Sequence, residues 1–107
     1  MITVYHSIPV DGNFHVMFDL CNSAKVIDYW KAGGYQKVAE VPTDDFEIAW
    51  RKTNSVNESW FERADLTVFL RDAMGLRSSM IGDVFILSES DARMVDLMGF
   101  TKIDLPK

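Results

Sequence analysis

The sequence holds one cysteine, Cys21, two histidines and three prolines among 107 residues, and each scarcity closes off a class of structure or chemistry. A single thiol makes no internal disulfide, so the chain must be held together by its apolar interior, which is compatible with a reducing cytoplasm. With His6 and His15 as the only imidazoles, there is no paired-ligand spacing for zinc, and neither a metal nor another cofactor is expected. The glycines do not fall in the spacing of a phosphate-binding loop or a dinucleotide fingerprint. No apolar run approaches the ~20 residues of a membrane span, and residues 1–7 lack a basic flank followed by an apolar stretch; the protein is expected to stay in the cytoplasm. Basic residues are also few. Eleven Lys and Arg stand against sixteen Asp and Glu, a net charge of −5, which works against a sequence-independent grip on phosphate backbones.

What is present suits one folded domain over 1–107. Hydrophobic residues make up 48% of the chain and aromatic residues 12%, enough to offset the ordering entropy of a single core. Residues 2–8 read as a strand, and the alternation of Phe14, Val16, Phe18 and Leu20 reads as a second, pairing with the first through a Pro9–Asn13 turn. Asn22 or Ser23 can cap a helix ended by Gly33 and Gly34, and Tyr35–Val41 returns as a strand, an order that suits a crossover unit. Thr43 or Asp44, with Glu47 three residues after Asp44, marks the start of a second helix. Its Phe46, Ala49, Trp50 and Thr53 repeat at helical spacing. Leu66–Leu70 and the apolar run Asp83–Leu87 read as strands. Residues 91–98 fit either a helix carrying Met94, Val95 and Met98 or the return strand of a hairpin. The fold class is α+β: four to six mainly antiparallel strands with two helices packed on one face.

The stretch from Asp45 to Val56 with its Thr53-Asn54-Ser55, then Trp60, Arg77-Ser78-Ser79-Met80-Ile81-Gly82-Asp83-Val84, and last Gly99-Phe100 with Ile103, resembles small accessory proteins of bacteriophages and plasmids. Their pattern runs Thr-Asn-Ser, Trp, Arg-Ser-x-Ser-x-Gly-Asp-Val, Gly-Phe; here Met80 replaces the second serine. The resemblance covers the chain from Gly34 onward. It implies a mobile-element origin and a bacterial cytoplasm without implying chemistry, and it favours the hairpin for 91–98.

Candidate contact residues follow from both readings. Arg77, Ser78, Ser79 and Asp83 put a guanidinium, two hydroxyls and a carboxylate in one loop that could cradle an anion, or Arg77 could pair with Asp83 while Gly82 supplies an unusual backbone angle. Asn54 could end its helix or make a contact. Trp60 could anchor its loop or stand exposed as an interface residue. Thr53, Gly82, Gly99 and Phe100 are assigned structural roles. Cys21 with His6 or His15, and the acid pairs Asp44-Asp45 and Glu58-Glu62, make no catalytic constellation. The leading expectation is a non-enzymatic accessory protein that binds and modulates a host protein. The alternatives are a nucleic-acid-binding or regulatory module using Arg71 and Arg77, disfavoured by the net charge, and a small ligand-binding domain or enzyme built on the Arg77–Asp83 loop.

Overall fold

The computed structural model describes residues 1–9, 20, 22–54, 65–69, 78–97 and 99–106. The elements are β1 (Ile2–Ser7), α1 (Ser23–Lys31), β2 (Tyr35–Val41), α2 (Phe46–Lys52), β3 (Thr67–Val68), β4 (Val84–Ser88), β5 (Asp91–Asp96) and β6 (Gly99–Ile103). The strands form one sheet in the order β3-β2-β1-β4-β5-β6, with every neighbouring pair antiparallel. The α+β class with a six-stranded antiparallel sheet and two helices therefore holds.

The helices lie on opposite faces, not on one. Strand side chains alternate between faces, and the buried apolar residues separate into two clusters along that alternation. Ile2, Val4, Val41, Phe85 and Val95 pack with Phe46 and Ala49 of α2, whereas Val84, Ala92, Met94 and Ile103 pack with Val26 and Tyr29 of α1. In β4 the consecutive Val84, Phe85, Ile86 and Leu87 contribute to the two clusters in turn. A strand apolar on both sides must be covered on both sides, and that requirement separates the helices.

Local chemistry sets the helix ends. The Asn22 side chain accepts from Lys25 N at 2.9 Å and caps α1. Gly33 follows its last turn at φ 79, a left-handed angle that glycine adopts without strain. The α2 cap is Asp45, one residue beyond the expected Asp44 and two beyond the alternative Thr43: its carboxylate accepts from Glu47 N and Ile48 N at 2.9 and 3.3 Å. Asp44 instead meets the N-terminal amine at 2.7 Å. The face of α2 is as its periodicity indicates, with Phe46, Ala49 and Thr53 buried.

β1 and β2 are antiparallel, so no parallel crossover joins them, and β2's other partner, β3, is antiparallel too. The expected strand 14–20 lies outside the described residues except for Leu20, which is buried. A register shift between Val4 and Tyr5 leaves Val38 without its own partner on β1. This bulge lets the adjacent Val38 and Ala39 both be buried. The expected strand 66–70 shortens to Thr67–Val68, and 91–96 is the return strand of a hairpin, not a helix. β6 has no forerunner in the sequence reading; it forms the sheet edge beside β5.

Candidate functional site

Where α2 ends against the start of β4, five polar side chains are buried: His6, Ser7, Thr53, Ser79 and Asp83. His6 is there because it continues the inward alternation of Ile2 and Val4 along β1. Thr53 is there because, as the C-cap of α2, it continues the inward face of Phe46 and Ala49. Ser79 and Asp83 arrive on the segment leading into β4, which is tied to the end of α2 by Ser79 N donating to Thr53 O at 3.0 Å.

The direction of the hydrogen bonds is fixed by donor counting. Thr53 Oγ1 lies 2.9 Å from Ala49 O, and a carbonyl only accepts, so the single Thr53 proton points there. The 2.7 Å contact between Thr53 Oγ1 and Ser79 Oγ must then be donated by Ser79. With its proton spent, Ser79 accepts from His6 Nε2 at 2.9 Å. A one-way chain therefore runs from His6 through Ser79 and Thr53 to Ala49 O, and it places a proton on His6 Nε2.

A serine, a histidine and an aspartate within one cluster invite comparison with a nucleophilic relay. Such a relay needs the serine proton directed at one ring nitrogen and the carboxylate at the other. Here the Ser79 proton points away from His6, and Asp83 Oδ2 stands 3.8 Å from the same Nε2. The Ser79 residue is only 4% exposed. The arrangement does not activate Ser79.

Asp83, wholly buried, works on the backbone. One oxygen accepts from Ser7 N at 2.9 Å, the other from Met80 N at 2.7 Å, so the carboxylate ties the loop preceding β4 to β1. Met80, which stands in place of the serine of the resembled pattern, contributes a main-chain donor here. Gly82 sits at φ 91, and a Cβ there would come within 2.5 Å of Leu20 Cβ and 2.8 Å of Leu20 O, so both angle and space exclude a side chain.

The remaining sequence candidates fall elsewhere. Asn54 turns its amide back onto Trp50 O and closes α2. Ser78 is half-buried. Gly99 opens β6, and Phe100 packs its ring between those of Phe46 and Phe85, with centroids 5.6 and 5.5 Å away. Trp60, Arg71, Arg77, Cys21, His15 and the Glu58-Glu62 pair lie outside the described residues. Among the described residues no three His, Cys, Asp or Glu side chains gather as metal ligands, and no helix is long and apolar enough to cross a membrane.

Beside the buried cluster a groove of about 660 Å³ opens between α2 and the β5–β6 hairpin. Trp50, Met80, Ile81, Val95, Leu97 and Phe100 give it an apolar lining, with Glu47 on the α2 wall. Leu97, at its mouth, is 76% exposed. A second hollow of about 640 Å³, which shares Glu47 and Phe100 with the first, continues past Asp44 and Asp45. Its Arg93 lies over the Phe46 ring at 4.1 Å and is paired with Asp91 at 2.9 Å.

The sequence reading missed this groove. Its residues come from α2, the loop before β4, β5 and the start of β6; several of them, such as Trp50, Gly99 and Phe100, carried a sequence signal singly, but nothing in the sequence groups them. His6 was detectable in principle, as the polar member of the Ile2, Val4, His6 series. Compared with known protein families, curated proteins and solved structures, the chain matches none.

Proposed function

We propose that this chain is a non-enzymatic recognition domain that binds another protein through the groove between α2 and the β5–β6 hairpin. Following the resemblance to bacteriophage and plasmid accessory proteins, the partner is a host protein of a bacterial cytoplasm whose activity the binding modulates. One observation carries the reading: a largely apolar groove, with an exposed leucine at its mouth, opens beside a polar cluster whose hydroxyls are already spent inside the fold. Concave apolar surface with aromatic residues is where binding energy concentrates. Residues 79–81, part of the Arg77–Asp83 loop expected to make contacts, supply a wall of it. Within the Arg77–Asp83 loop, Ser79 and Asp83 are buried and hydrogen-bonded inside the fold. Glu47 and the neighbouring Asp44 and Asp45 work against a phosphate backbone as the occupant.

A photo-crosslinking residue placed at Leu97, and separately at the exposed Gln36 on β2, tests the reading in bacterial cells. The expected result is one discrete protein adduct from position 97 and none from position 36. Equal labelling at both positions, or no adduct at either, overturns it.

A further inference from the structure

We draw no further inference here: the strongest candidate, the sheet edge β6 where it meets the apolar groove between α2 and the β5–β6 hairpin, adjoins the site already described, and nothing in the structure shows what covers it.

Discussion

The buried polar cluster and the groove next to it touch at Ser79, yet they are built on opposite terms. In the cluster, every polar group is satisfied: no buried side-chain N or O among the described residues lacks a partner. In the groove, apolar side chains meet solvent and Leu97 is largely uncovered. Substitutions in the first region should cost stability, and substitutions in the second should cost binding. A residue's place in this division is set by whether its polar groups are already spent inside the fold, more than by how reactive its side chain looks in the sequence.

The sharpest break of the cluster is Asp83→Ala, because it strips the acceptor from two backbone donors, Ser7 N and Met80 N, in a fully buried position. Unfolding free energy measured in urea should fall by about 3–4 kcal/mol; a loss below ~1 kcal/mol would show that the carboxylate does not hold the loop. Gly82→Ala should follow at about 2 kcal/mol, since the added carbon meets the Leu20 backbone at a strained angle. Ser79→Ala interrupts the chain between His6 and Thr53 and should cost about 1–2 kcal/mol. Because Ser79 also borders the groove, it separates the two regions: its stability should drop while the Leu97 adduct forms undiminished at a temperature where the variant is folded.

These effects trace which parts of the molecule were legible beforehand. The buried face of α2 was, because Phe46, Ala49, Trp50 and Thr53 repeat at 3.6-residue spacing; the β4–β5 hairpin was only partly so, because residues 91–98 fit a helix as well as a strand and the resemblance alone favoured the hairpin. The placement of the helices was not. Periodicity says that a helix has a buried face, without saying which side of a sheet receives it. The needed clue lay in β4, whose unbroken run Val84–Leu87 calls for cover on both sides. The buried cluster was half legible: Thr53, Ser79 and Asp83 stood out as polar residues in a patterned stretch, but His6 is 73 positions from Ser79, and only the sheet brings them together. The groove was least legible, since it is a gap between three elements and has no local sequence signature.

The β5–β6 turn gives a smaller test of how the groove's rim is held. Hydrogen bonds from Thr101 Oγ1 at 2.6 Å and Leu97 N at 2.8 Å hold the Asp96 carboxyl below the ordinary aspartate range. A carboxyl depressed in the folded state adds stability that is fully present above its unfolded pKa, about 4, and disappears as pH falls through the lower folded value. The destabilisation caused by Asp96→Asn should therefore be visible at pH 6 and shrink toward zero near pH 2. A difference between the two proteins that grows on acidification would reverse the sign and refute this role. The Asp91 carboxyl, lowered by the Arg93 guanidinium, acts in the same direction, so the Asp96→Asn variant should retain an acid limb of its own.

The smallest expected change in stability belongs to the residue with the largest expected consequence for binding. Leu97 is 76% exposed at the mouth of the groove, so Leu97→Asp removes little packing, and its unfolding midpoint should stay within about 0.5 kcal/mol of wild type. Burying that carboxylate under a partner would be costly, and it would stand beside Glu47, deepening the negative charge. With the crosslinking residue moved to Ile81 on the same groove, adduct formation should be lost in the Leu97→Asp background and retained with Leu97→Met, which keeps the apolar contact. If the aspartate variant crosslinks as well as the parent, the exposed leucine is an ordinary surface residue and the groove is not where a partner sits.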